Sequence, residues 1–252
     1  VSAPGAVHLL AANIEVGQHL TTKVGGLTLD LDTLWATGVA MLVVIGVGLA
    51  VRRRATAGVP GKLQLLWEMA VESVSNQIEG SIGPRGRAVV PLALALFFFI
   101  LAANWLTTFE TGARYEILGP PAGDINFTLA LAIVVIVPVH IASLRVRGLR
   151  GYVAHYFKPY PVLFPINVVE EIAKPITLAL RLFGNLLSSV LMVALIAALG
   201  VWTISHVPIG DVSTLVLETV WKLFDLLIGA IQAFIFALLT ILYFDSAMSD
   251  AH

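Results

Sequence analysis

The sequence predicts an all-α, polytopic membrane protein with five transmembrane spans, one amphipathic surface helix and a long tilted antiparallel helix hairpin at its C-terminal end. Three observations predict it. Hydrophobic side chains make up 58% of the 252 residues and charged ones only 12%, against roughly 25% charged in a soluble domain. Uncharged runs long enough to cross a bilayer recur along the chain. Basic residues gather at the ends of those runs that would face one side of the membrane. Cysteine is absent, which removes disulfides, thiolate metal sites and thiol nucleophiles. A formal net charge of −1 lacks the basic excess that a nucleic-acid binder needs.

Residues 1–33 mix acids (Glu15, Asp30, Asp32) with one base, Lys23, and are read as an external segment. They lack a basic stretch followed by a short apolar run, so no secretory signal is expected and targeting falls to the first span. The chain begins at Val1 without a methionine, and upstream residues are expected to be trimmed or missing. Residues 34–164 are read as three spans plus the surface helix. The first span, Leu34 to Val51, stops at Arg52, Arg53 and Arg54. The segment 61–82 interleaves Leu63, Leu65, Leu66 and Met69 with Glu68, Glu72 and Glu79, a helix suited to the membrane surface. Ala88 to Phe109 is the second span, and the loop from Glu110 to Asp124 carries Gly119, Pro120, Pro121 and Gly123. Ile125 to Leu144 is the third span, closed by Arg145, Arg147 and Arg150.

Residues 165–252 form the hairpin. Its helices, 165–202 and 214–244, would measure about 55 and 45 Å at 1.5 Å per residue, against a hydrocarbon core of about 30 Å. They must tilt or project from the membrane. A short loop lies around 208–210, and residues 245–252 are read as a polar tail. With the N-terminus outside and the C-terminus inside, the inner segments carry most of the basic residues, and only Lys23 and Arg114 lie outside. No internal repeat is present, which speaks against an inverted-repeat transporter.

Ionisable residues inside spans are expensive, from roughly 2.5–3.5 kcal/mol upward, and normally face a partner or water. Arg181 sits near the middle of its helix and remains protonated under essentially all conditions. Its neighbours three and four residues away are Leu178, Thr177, Gly184 and Asn185, none of them an acid. The charge is therefore reserved for another helix or another chain. A packing pair with a Glu is the plainer alternative. Glu218, Asp225 and Gln232 are spaced seven apart and share a face of the last helix. Counting from the inner ends brings Gln232 within about a turn of Arg181, with Asp225 roughly 10 Å further outward. Glu170 and Glu171 precede Arg181 by eleven and ten residues, roughly 15 Å to the inner side. Acids on the outer side of a fixed cation lie on one helix, and acids on the inner side on the other. Two offset half-channels with a guanidinium barrier between them follow, through which ions pass only on a moving carrier. Local pairs, such as Glu218 with Lys222, are the competing reading.

The stretch Pro175-Ile176-Thr177-Leu178-Ala179-Leu180-Arg181-Leu182-Phe183-Gly184-Asn185, followed by Gln232-Ala233-Phe234-Ile235-Phe236-Ala237-Leu238-Leu239-Thr240-Ile241, resembles subunit a of the F-type ATP synthase. Weaker matches are Asn104-Trp105-Leu106 and Asp124-Ile125-Asn126-Phe127-Thr128. The resemblance implies a non-catalytic stator subunit in a cell membrane, against which a ring of c subunits turns, with ATP chemistry on other subunits. It implies that Arg181, Asn185, Ser188 and Gln232 face the c-ring. It also implies that Asp124, Asn126, Glu218 and Asp225 serve an outer half-channel and Glu170 and Glu171 an inner one. Where many relatives carry an ionisable residue nine after the Arg, this chain has Val190, and Asp225 with Glu218 is expected to fill that role. Implied partners are the c-ring, b-type peripheral-stalk subunits, the F1 sector and membrane lipid. No cofactor, metal or nucleic acid is called for.

Two other function classes remain at this point. A secondary transporter would use Arg181 to bind an anionic substrate, and a membrane scaffold would need it only for assembly. Gly58-Val59-Pro60-Gly61-Lys62 is too short for a phosphate loop and is followed by Leu63 instead of a hydroxyl residue. His140 is read chiefly as a helix-packing residue, with a channel role as the alternative. The other histidines show no metal spacing.

Overall fold

A computed structural model describes residues 21–24, 27–56, 58–81, 86, 88–106, 121–157, 160–204 and 210–249. The element order is β1 (Thr21–Val24), β2 (Leu27–Asp30), α1 (Leu31–Arg54), α2 (Lys62–Ser81), α3 (Val90–Leu106), α4 (Ile125–His155), α5 (Phe164–Ile204) and α6 (Gly210–Ser249). Four helices are long and apolar enough to cross a membrane, and α3 is a shorter apolar one of 17 residues. That length is at the lower limit for a span. With α2 as the amphipathic helix, the expected membrane architecture is present.

Several boundaries differ from expectation. Residues 21–24 and 27–30 pair as antiparallel strands, Thr21 opposite Asp30 and Val24 opposite Leu27, which gives the N-terminal segment local strand structure that its mixed composition does not announce. The helix of the third span continues beyond Leu144 to a break at Gly148, and a further helical stretch runs from there to His155. The hairpin helices have 41 and 40 residues, each about 60 Å long. The last helix runs on to Ser249, so most of the expected polar tail is helical. Much of the second loop (residues 107–120) and the loop at 208–209 lie outside the described residues.

Helices α3 to α6 pack into one core, with α3 against α6, α6 along α5, and α4 on both hairpin helices, while α1 lies against α3. Without a hydrophobic difference between lipid and side chain, close packing and interhelical hydrogen bonds hold membrane helices together. Small residues accordingly line the contacts: Ala40, Ala93, Ala103, Ala132, Ala179, Ala233 and Ala237 are all buried. Large apolar residues such as Leu42, Ile45, Ile133 and Leu223 point outward, where lipid is their solvent. Trp67 of α2 stacks on Phe98 of α3 with ring centroids 4.3 Å apart. Gln64 bonds both the Thr56 N–H (3.1 Å) and its carbonyl (3.0 Å), fixing α2 to the end of α1.

Two glycines carry the arrangement. Gly229 lets α3 approach α6 so closely that a Cβ there would meet the Asn104 Cβ at 3.0 Å. Asn104 donates to the Gly229 carbonyl at 3.2 Å, and Trp105 donates to the Leu226 carbonyl at 3.3 Å. Gly148 breaks α4 with φ 69° and ψ 167°, a backbone conformation that residues with a Cβ essentially do not adopt. Just before the break, Arg147 donates to the Ser246 carbonyl at 2.8 Å, satisfying a carbonyl in the last turn of α6.

Gly229→Val should separate α3 from α6 and cost roughly 1–3 kcal/mol by overpacking. Gly148→Ala should cost a similar amount, roughly 1–3 kcal/mol, through backbone strain. Both are read as a lowered thermal midpoint of the detergent-solubilised protein, and Gly38→Ala, where a Cβ meets nothing within 4 Å, is the control.

Candidate functional site

The site is built on the α5 and α6 pair. On α5, Leu178, Ala179, Leu182, Leu186 and Ser189 turn into the bundle, while Thr177, Leu180, Arg181, Ser188, Leu191 and Leu195 are exposed. Helical periodicity separates the two sets. Arg181 therefore projects away from its own bundle, from inside an apolar span. Among the described residues no acid or hydrogen-bond acceptor meets its guanidinium. Ser188, seven residues on, lies on the same outer face, its hydroxyl bonded back to the Gly184 carbonyl at 2.8 Å. Asn185 is half-buried between the two faces.

On α6 the heptad-spaced polar residues form a stripe whose burial deepens along the helix. Glu218 is partly exposed and lies 4.0 Å from Lys222, the local pair that its spacing allows. Asp225 is half-buried and accepts a hydrogen bond from Ser189 of α5. Gln232 is 7% exposed, and its side-chain nitrogen has no partner among the described residues. The Ser189–Asp225 contact sets the register of the hairpin. Arg181 lies eight residues before Ser189, and Gln232 seven after Asp225. In antiparallel helices the two share a level to within a single residue's rise, about 1.5 Å. Val190, next to Ser189, is thus close to the Asp225 level. Sequence reasoning missed Ser189, because nothing in a serine among leucines marks it as the partner of an acid on another helix.

Asp124 and Asn126 meet at the start of α4. The Asp124 carboxylate accepts from the Asn126 N–H at 2.8 Å, an N-cap that satisfies one of the free donors of the first turn. Its immediate role is local, and both residues remain at least partly exposed. The two α5 glutamates diverge. Glu170 is exposed, whereas Glu171 turns inward, with one oxygen 2.7 Å from the Lys174 ammonium and the other 3.8 Å from His140 Nε2. His140 Nδ1 lies 3.2 Å from the Tyr152 hydroxyl, which lies 2.8 Å from that of Tyr156. Along a straight helix, twelve residues would separate His140 from Tyr152 by about 18 Å, so the Gly148 break is what returns Tyr152 to His140. Neither tyrosine was legible as a site residue. Burial pushes the Tyr156 phenol above the ordinary tyrosine range, and the Tyr152 hydrogen bond and the Glu171 charge add to the effect. Among the described residues no cluster of three or more metal-ligating side chains occurs.

The family model for the ATP synthase A chain matches residues 33–245. ATP synthase subunit a of Acidothermus cellulolyticus is 50% identical over 238 residues, covering 94% of this chain and 84% of that one. Subunit a of Mycobacterium marinum is 45% identical over 249 residues, covering 95% and 96%. The homologue from Moorella thermoacetica is 38% identical over 205 residues, covering 81% and 84%. Similarity on that scale spans every membrane helix described above, together with Arg181 and the heptad stripe of α6. The chain belongs to the ATP synthase subunit a family.

Proposed function

We propose that this chain is the non-catalytic stator of a membrane proton channel in a rotary ATP synthase, carrying protons to and from carboxylates on a turning c-ring. The observation that carries the reading is the placement of Arg181. An unneutralisable cation on the outer face of an apolar span, with no partner among the described residues, is costly against lipid. It becomes favourable when a partner presents a carboxylate to that face, because a charged pair and its hydrogen bonds offset the desolvation. A c-ring carboxylate meets that requirement; Ser188 shares the outer face, Asn185 is half-buried beside it, and Gln232 lies buried in the bundle at the same level.

The proton enters from outside past Asp124 and Asn126, then along Glu218 and Asp225, and neutralises a ring carboxylate. Asp225 stands in for the ionisable residue that relatives carry at the Val190 position, which its bond to Ser189 and its level on the hairpin support. Once neutral, the ring site can enter lipid, since the desolvation cost of its charged form is gone. On reaching the inner half-channel by Glu170 and Glu171 it loses its proton and is drawn to Arg181, which favours the ionised form and closes the direct path. The membrane potential supplies about 2.3 kcal/mol per charge per 100 mV. The b-type stalk and the F1 sector complete the complex. The N-terminus lies outside and the C-terminus in the cytoplasm, as the basic residues favour.

In inverted membrane vesicles at matched complex assembly, Arg181→Ala should abolish ATP-driven acidification. Arg181→Lys should impair it severely, because an ammonium lacks the planar fork of donors. Normal pumping by either variant would sink the assignment. Asp225→Asn should slow pumping by about tenfold or more, equivalent to ~1.4 kcal/mol on the transfer barrier. Lys222→Gln should have little effect, since the Glu218 pair that it breaks is exposed and worth less than about 1 kcal/mol.

A further inference from the structure

The inner end of the bundle holds a second polar constellation that the channel reading touches only through Glu171. A cavity of about 490 Å³, open to the surface, lies between α4 and α5. His140, Tyr152, Tyr156 and Glu171 line it, with Ile136 and Phe164 among its apolar walls. Three of its contacts form a continuous series: Glu171 to His140 Nε2 at 3.8 Å, His140 Nδ1 to Tyr152 at 3.2 Å, and Tyr152 to Tyr156 at 2.8 Å. The Gly148 break and the Asn167 side chain, which donates to the Tyr156 carbonyl at 2.9 Å, hold the far end in place. The charged and titratable groups facing the series are Lys174, bonded to the second Glu171 oxygen, and Arg147, whose charge acts on Tyr156.

Resting on the channel reading above, the geometry points to His140 as a proton carrier of the inner half-channel, passing protons from Glu171 through Tyr152 and Tyr156 to water in the cavity. Glu171, once protonated by the ring site, gives its proton to the Nε2 lone pair of His140, after a side-chain adjustment that closes the 3.8 Å gap. The imidazolium then loses its Nδ1 proton to the Tyr152 oxygen. Tyr152 passes its own hydroxyl proton to Tyr156, and Tyr156 releases one to water. One proton enters and one leaves. Both phenols end neutral, as the upward shift of Tyr156 favours. The imidazole is left as the Nε2–H tautomer and returns to the Nδ1–H form by exchange with cavity water. Imidazole suits the position because one ring nitrogen can take up a proton while the other releases one. A cavity of this size with several polar partners holds water readily.

A purely structural clasp, in which His140 only holds the fold-back at Gly148, makes a different prediction. In the assembled complex, His140→Ala and His140→Gln should each reduce ATP-driven acidification of inverted vesicles by roughly tenfold, and Tyr152→Phe should reduce it less. The glutamine variant keeps a hydrogen-bonding group beside Tyr152, so its loss does not reflect a collapsed bend. With the detergent-solubilised whole complex, where no gradient can dissipate, added imidazole should restore ATP turnover of His140→Ala by about threefold or more, ~0.7 kcal/mol on the barrier. It should not do so for His140→Gln, whose side chain fills the space. Wild-type pumping in either variant overturns the relay, as does a His140→Ala complex indifferent to imidazole. Arg181→Ala vesicles run in parallel separate the two ideas. Pumping by that variant defeats the channel reading itself, whereas loss there alongside normal His140 variants defeats the relay alone.

Discussion

A guanidinium that cannot shed its proton, carried on the outside of its own helix bundle within an apolar span, is the constraint to which the rest of the molecule answers. Water would relieve it cheaply, and so would an acid on a neighbouring helix. Among the described residues the fold supplies no such acid. The bundle instead turns its acids elsewhere: Asp225 to Ser189, Glu171 to Lys174, and Glu218 to Lys222. Among the described residues the outer face of α5 carries Arg181 between exposed leucines, the face that the proposed function gives to a ring carboxylate.

Holding that charge at a defined level is a packing problem, and it is solved with small residues and carbonyl hydrogen bonds. Alanines at the helix contacts and Gly229 allow close backbone approach, and dispersion and hydrogen bonding then act at short range. The α3 grip on the Leu226 and Gly229 carbonyls falls between Asp225 and Gln232. The stretch of α6 between Asp225 and Gln232 is thus tied directly to α3. A slip of one residue along α6 would rotate the stripe by about 100° and turn Gln232 away from its present face, so the grip also serves register.

The inner end follows a different logic. Gly148 interrupts a helix that would otherwise carry Tyr152 out of reach, and the break brings polar residues twelve to thirty-one positions apart together on one wall of an otherwise largely apolar cavity.

Much of this was legible in the chain itself. Composition and run length determined the membrane class and the helical spans, because lipid admits few ways to satisfy a backbone. The absence of an acid within a turn of Arg181 already left that charge without a local partner on its own helix, and heptad spacing already put Glu218, Asp225 and Gln232 on one face. Those conclusions need only local periodicity and the cost of a buried charge. The tertiary structure alone decided the direction in which Arg181 points, the choice of Ser189 as the companion of Asp225, and the meeting of His140 with Tyr152 across the Gly148 bend. It also decided the strand pair ahead of α1 and the continuation of α6 through the polar-looking residues up to Ser249. Each depends on helix rotation, on register between helices or on a single positive φ. Helical periodicity fixes which residues share a face, but what that face meets is set by packing between segments far apart in the chain.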